Sequence, residues 1–197
     1  MEMGTGKSKV CIDTASMLYE RGEIDTFIVV APKGVYRNWA NIEIPAHMPE
    51  RVLEGSTTSV WRPSPTKAAK EGLLSLTRPA ENFRILVMNV EAFSTQKGQK
   101  FLEAVLKASN ALLAIDESTA IKSPKASRTK ALLKLSSLAK YRRILTGFPV
   151  TQSPMDLWAQ CRFLDKELLE DCGDNFFQFQ YRYAITNGPV VAMPVYG

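Results

Sequence analysis

The chain has 197 residues, 45% of them hydrophobic and 23% charged, which is enough apolar material for one globular domain with a small satellite segment and too little for two full domains. Three cysteines, Cys11, Cys161 and Cys172, and the single histidine His47 show no metal-ligand spacing and no even disulfide framework, so the thiols are read as reduced and His47 as structural or solvated. No apolar run reaches the ~18 residues of a membrane span, and no basic region followed by an apolar stretch opens the chain. The expectation is a soluble, non-secreted protein with no membrane partner, cytoplasmic in a prokaryote or virus and nuclear in a eukaryote.

The first predicted element is a helix over Lys7–Arg21, stopped by Gly22. Gly4-Thr5-Gly6-Lys7-Ser8 opens it. Glycines let a backbone wrap around phosphates with its N–H groups pointing inward, and a helix N-terminus adds a favourable field. Lys7 is placed to reach the β/γ-phosphates of a nucleotide and Ser8 to ligate Mg²⁺. A full phosphate loop has a small or acidic residue six positions before its lysine and a strand before that. Met1 holds that position here, so the sequence is expected to be a fragment cut inside its own loop.

Apolar runs rich in β-branched residues then alternate with helix-period stretches, the pattern of a mostly parallel sheet with helices on both faces. Strands are predicted at Thr26–Ala31, Arg84–Met88, Ala111–Ile115 and Arg143–Thr146, with a weaker one at Ser59–Arg62. Their continuous hydrophobicity fits strands covered on both sides. Further helices are predicted at Val35–Ile44, Pro65–Leu76, Gln99–Ser109, Lys125–Leu138 and Met155–Phe163, that over Lys125–Leu138 capped by Ser123-Pro124. Trp39 and Trp158 are read as core anchors on helical faces. After Asp165 come an acidic patch, the aromatic Phe176–Tyr183 and a Gly/Pro-containing tail, read as a connection leading elsewhere.

The second half of a nucleotide site is a carboxylate at the end of a buried strand. Ala111 to Glu117 supplies two, at the sheet edge where open α/β folds bind ligands. Asp116 is the candidate Mg²⁺ holder and Glu117 the group that orients the attacking water. Ser8 is excluded as a nucleophile, because no histidine accompanies it. Between Ser118 and Met155 there is no Asp or Glu, while Lys122, Lys125, Arg128, Lys130, Lys134, Lys140, Arg142 and Arg143 all fall there. Such a block suits a polyanion or forms a solvated face.

In order and spacing, the chain resembles the first RecA-like lobe of the Swi/Snf-like DNA translocases of helicase superfamily 2. The likeness runs from Glu2 to about Leu169. Glu2 to Ser8 is similar to that family's first motif, and Val30-Ala31-Pro32-Lys33 with Asn38-Trp39 and Glu43 to its next. Val87-Met88-Asn89-Val90-Glu91 sits where the family has a strand end touching nucleic acid. Asp116 to Lys122 resembles its DEAH-type box, and Leu145-Thr146-Gly147-Phe148-Pro149-Val150 its third motif.

The resemblance implies ATP and Mg²⁺ as cofactors, with Gly4, Thr5, Gly6, Lys7 and Ser8 as the cradle and Lys7, Asp116 and Glu117 as the catalytic set. It also implies DNA, duplex rather than single-stranded, on Pro32, Lys33, Asn89, Lys122, Arg142 and Arg143, although Asn89 and Lys122 could equally satisfy backbone groups at strand ends. Thr119, Thr146 and Gly147 are the implied coupling residues. Phe148 stands where the family has Thr, Thr119 where it has His, and Gln152-Ser153 where it has Asn-Ser.

On this reading residues 1–169 form the ATP-binding lobe, and 170–197 lead toward a second RecA-like lobe whose arginines complete the site. Without an arginine finger, hydrolysis falls by about 10³–10⁵, so this piece alone is expected to be nearly inactive. The alternatives are a helicase that separates RNA or DNA strands and a catalytically inactive lobe acting as a binding module.

Overall fold

The structure, a computed structural model, describes residues 5–172 and 175–184. The helix α1, Lys7–Glu20, ends as the sequence indicates: Gly22 at φ 68° and Glu23 donate to the carbonyls of Tyr19 and Leu18, closing the last turn. The strands follow as β1 Thr26–Ala31, β2 Ser56–Val60, β3 Phe83–Asn89, β4 Ala111–Asp116 and β5 Tyr141–Leu145. All pair in parallel, in the order β2-β3-β1-β4-β5. The central strands β3, β1 and β4 are the continuous apolar runs, because only they are covered on both faces and flanked on both edges.

Two differences from the predicted elements have local causes. The weak strand lies three residues earlier than its apolar run, since Ser56–Val60 is an edge strand whose register is fixed by Val60 opposite Val87. Trp61 then leaves the strand to stack on Phe101 at 4.7 Å. The predicted cap Ser123-Pro124 is instead a turn, with the Ala126 amide on the Ser123 carbonyl, and the helix α7, Ser127–Ser136, starts two residues later than predicted.

The remaining helices are α2 Tyr36–Asn38, α3 Ile44–His47, α4 Glu50–Glu54, α5 Lys67–Ser75, α6 Gln96–Lys107, α8 Leu157–Leu164 and α9 Phe176–Tyr183. Alternate strand residues feed two clusters. Phe27, Val29 and Ala31 meet Cys11, Ile12 and Ala15 of α1 on one face, while Ile28 and Val30 meet Leu102, Leu132 and Phe163 on the other. A third cluster joins Trp158 and Ala159 of α8 to Leu169 and to Phe179 of α9. Both tryptophans read as anchors are buried, Trp39 to 2% exposure and Trp158 to 8%. His47 is exposed and faces Glu43 at 3.8 Å. Among the described residues, no helix is long and apolar enough to cross a membrane.

Candidate nucleotide and nucleic-acid site

Parallel pairing sends every strand end to one edge: Ala31 lies beside Asn89, Val30 beside Ile115, and Asp116 beside Leu145. The segments that follow these ends are Pro32–Lys33, Val90–Glu91, Glu117–Ile121 and Thr146–Gly147, so the loops singled out in the sequence share one rim of the sheet. Lys33 and Asn89 meet there through Glu91. The Lys33 amide donates to one carboxylate oxygen at 3.4 Å and the Asn89 side-chain amide to the other at 3.1 Å. Partial burial pushes the Glu91 carboxyl up. Donors from Asn89, its own amide and Lys33, with the charge of Arg128, outweigh it and hold the group below the usual carboxylate range. The Asn89 side chain thus serves a neighbouring carboxylate, not a backbone group.

Gly6 caps α1 in the left-handed region at φ 76°, ψ 24°, a conformation in which a side chain would be strained. Thr5 and Gly6 are exposed and Lys7 and Ser8 half-buried, while Gly4 lies outside the described residues. Four residues on from Lys7, on the same helix face, Cys11 is buried. Burial pushes its thiol up to about 12, and the charges of Arg143, lowering, and Asp116, raising, also reach it. Cys11 and Ile12 pack in one cluster with Ala31 of β1 and Ala114 of β4, which sets this part of α1 against the sheet near those strand ends. Burial there leaves Cys11 as an inert thiol.

Asp116 and Glu117 are both half-buried. Each oxygen of Asp116 accepts a fixed donor: Oδ1 the Glu117 amide at 3.0 Å, and Oδ2 the indole N–H of Trp39 at 2.9 Å. Glu117 itself sits at φ 49°, ψ 60°, the single non-glycine residue with positive φ among those described. A carboxylate side chain in that region costs about 1–2 kcal/mol. The kink turns the chain off the strand into the turn Ser118–Ile121, which carries the half-buried Thr119.

Beneath this turn lies a buried polar hub centred on Gln160, a residue that the sequence did not single out. Gln160 of α8, 1% exposed, accepts from the Ser118 hydroxyl at 2.6 Å and donates to the carbonyls of Pro149 at 2.7 Å and Asp156 at 2.8 Å. Asp156 in turn accepts from the amides of Thr151 and Gln152 and from the Thr151 hydroxyl. Lys122 donates to that hydroxyl at 2.6 Å and stands 3.6 Å from Asp156. Lys122 is therefore tied to side chains of the loop after β5, not to a strand-end backbone group. Burial raises the Asp156 carboxyl, but those donors and Lys122 prevail and lower it from 3.8 to about 2. Thr146 and Gly147 are half-buried at the start of the same loop, the Thr146 hydroxyl without a partner, and Phe148 is 64% exposed. The one available signal for Gln160 was a polar residue set between the apolar Leu157-Trp158-Ala159 and Cys161.

The basic block does not share one face. Arg142 and Arg143 are adjacent on β5 and so point to opposite sides of the sheet. Arg142 reaches toward the Ser136 carbonyl at 3.5 Å beside α7, while Arg143 is exposed on the face that Tyr141 and Leu145 share with α1. Lys125, Lys130 and Lys134 line an open hollow of about 420 Å³ with Gln99 of α6.

The family described as the SNF2-related domain matches residues 1–188. The chain belongs to this family. Relatives of this SNF2-related domain include the chromatin-remodeling ATPase INO80 of Gibberella zeae, 29% identical over 188 residues. That of Sclerotinia sclerotiorum is 30% identical over 186 residues. These matches cover 90% of the chain but only 9% and 10% of the relatives, so the chain spans about a tenth of their length. Among solved structures, the Sulfolobus solfataricus SWI2/SNF2 ATPase core in complex with dsDNA matches with a TM-score of 0.67 at 23% identity, covering 93% of this chain and 33% of that one. The likeness shows that the SNF2-related domain has the RecA-like α/β fold expected from its sequence.

Proposed function

We propose that this domain is the ATP-binding lobe of a motor that moves on duplex DNA, with Lys7 and Ser8 facing the phosphates and Asp116 and Glu117 facing the metal and the attacking water. The observation that carries this reading is the packing of Cys11 and Ile12 of α1 against Ala31 of β1 and Ala114 of β4, near the strand ends from which Asp116 and Glu117 follow. The donor set fits Mg²⁺: a hydroxyl and one carboxylate suit a hard ion that keeps several waters and takes its other ligands from phosphate oxygens. When bound, Mg²⁺ supplies charge neutralisation at the β- and γ-phosphates.

The residues of this chain do the rest. Amides at the start of α1 and the Lys7 ammonium bind the phosphates, the left-handed turn at Glu117 takes the chain off the strand, and the Ser118–Gln160 hub links that turn to the loop that begins at Thr146–Gly147. Duplex DNA as the track is supported by the dsDNA in the solved core's description and by the rim loops at Pro32–Lys33 and Asn89–Glu91. Phosphate contacts there would be salt-sensitive and indifferent to sequence.

Titration of ATP·Mg²⁺ into the chain and into Lys7→Ala tests the site. The variant is expected to bind at least about tenfold more weakly, a loss of about 1.4 kcal/mol. Equal binding by the two proteins would remove the phosphate-loop role. Hydrolysis by this lobe tested alone is expected to be about 10³–10⁵ slower than in a two-lobed core that supplies an arginine to the transferred phosphoryl group.

A further inference from the structure

We infer that Trp39 is a positioning residue for the metal-facing carboxylate of Asp116, an assignment that rests on the nucleotide reading above. The bond from the indole Nε1 to Asp116 Oδ2 is 2.9 Å long and joins segments 77 residues apart. A donor held on an ionised acceptor makes a stronger bond than a neutral pair, and at 2% exposure the indole leaves water little access to replace it.

The local backbone is built to deliver that ring. Between α2 and α3 the helix widens into a π turn over Trp39–Glu43. The extra residue shifts the inward positions, so Trp39 and Ile44, five apart, are 2% and 1% exposed, whereas an unbroken α-helix repeats its inward face at three or four. Phe27 of β1 meets the indole edge-on at 6.5 Å and 72° and fixes its plane.

The other two tryptophans separate positioning from mere satisfaction of a buried donor. Trp61 and Trp158 are also buried, and the indole N–H of each has no acceptor. The fold therefore tolerates an unpaired indole twice. In Trp39 alone the N–H meets a carboxylate, and that carboxylate ends the strand of the nucleotide site. With Oδ2 held by Trp39 and Oδ1 by the Glu117 amide, the Asp116 carboxylate cannot rotate without losing both bonds, and its remaining lone pairs keep one fixed direction. Donors behind a metal-holding carboxylate typically contribute about 10–100-fold to metal affinity.

The experiment measures binding of a fluorescent ADP analogue to the chain in EDTA and in Mg²⁺, so that the gain due to the metal is read without hydrolysis. Three proteins are compared with the unsubstituted chain: Trp39→Phe, Asp116→Asn, and the chain with β-(3-benzothienyl)alanine at position 39, which keeps the ring shape and replaces only the N–H by sulfur. Both changes at position 39 are expected to reduce the Mg²⁺-dependent gain about tenfold while leaving the affinity in EDTA within about twofold. The benzothienyl protein should also keep the thermal midpoint of the parent, which guards against a packing defect in Trp39→Phe. A full Mg²⁺ gain in the benzothienyl protein overturns the assignment. If the unsubstituted chain shows no Mg²⁺ gain, or Asp116→Asn retains it, the nucleotide reading itself fails and the role of Trp39 falls with it.

Discussion

The two ends of the parallel sheet both carry charged and polar groups, and they use them in opposite ways. At the N-terminal end, Arg84 is 2% exposed and donates to Asp25 and Thr26 at 2.9 Å each and to the Arg78 carbonyl, while the second Asp25 oxygen accepts the Asn110 amide. Those partners come from the starts of β1 and β3 and the residue before β4, so the cluster closes on itself and pins three strands. At the C-terminal end, Asp116 and Glu117 stay half-buried, the chain is bent into a left-handed turn, and Lys7 and Ser8 are half-buried beside a helix terminus. A polar cluster whose cation and carboxylate are paired from within, with Arg84 Nε alone left without a partner, stabilises the fold. One left partly open at a strained turn is arranged for something that arrives from outside.

Mutations at the two ends should therefore separate stability from binding. The largest effect is expected at the closed end: Arg84→Ala leaves Asp25 without its cation and should cost about 3 kcal/mol in urea unfolding, with nucleotide affinity per folded molecule unchanged. A parallel loss of affinity would break the distinction. Next comes the hub under the site, where Gln160→Leu strands the Ser118 hydroxyl and two carbonyls. It should cost about 2 kcal/mol, and the double variant Ser118→Ala/Gln160→Leu should be more stable than the single one, since removing both partners spares the unmet donor. Additive losses in the double-mutant cycle would show that the two side chains do not act as a pair.

A smaller effect follows from acid. The Asp156 carboxyl is lowered from 3.8 to about 2 in the folded chain, so its contribution to stability is fully present above about pH 4 and disappears as pH falls toward 2. Asp156→Asn should flatten the stability profile over that interval, and an unchanged slope would place the acid sensitivity elsewhere.

The smallest expected change concerns the basic block. A polyanion lying along α7 can touch Arg142 but not Arg143, which is exposed on the opposite, α1 side of the sheet. Arg142→Glu should reduce the slope of log K for duplex DNA against log salt by about 1–2, and Arg143→Glu should leave it unchanged. Equal effects from the two reversals would exclude a track confined to the α7 face.

Much of this organisation could be read in advance where local chemistry dominates. The runs Phe27-Ile28-Val29-Val30 and Ile85-Leu86-Val87-Met88 are apolar on both sides of the pleat, which only an interior parallel strand satisfies, and Gly22 ends α1 as its sequence indicates. Edge elements were less clear. β5 begins two residues before its predicted start because Tyr141 and Arg142 are half-covered by neighbours from other parts of the chain, and Glu23 accepts the Tyr141 hydroxyl across the sheet. The helix α9 gave only an aromatic texture, since its inward residue Phe179 is defined by Trp158 and Leu169 and not by a periodic stripe of its own.

What the sequence determined by itself was the alternation of apolar strands and helices, the glycine-lined entry to α1, and the pair of acids closing β4, because each is a short stretch whose chemistry needs no distant partner. Only the tertiary structure decided that Trp39 holds Asp116, that Gln160 joins the turn after Glu117 to the loop after β5, and that Arg142 and Arg143 part company. Those outcomes depend on which segments the parallel register brings to the same edge, and on a widened helical turn that shifts the inward-facing positions. Neither is encoded in any single stretch of residues.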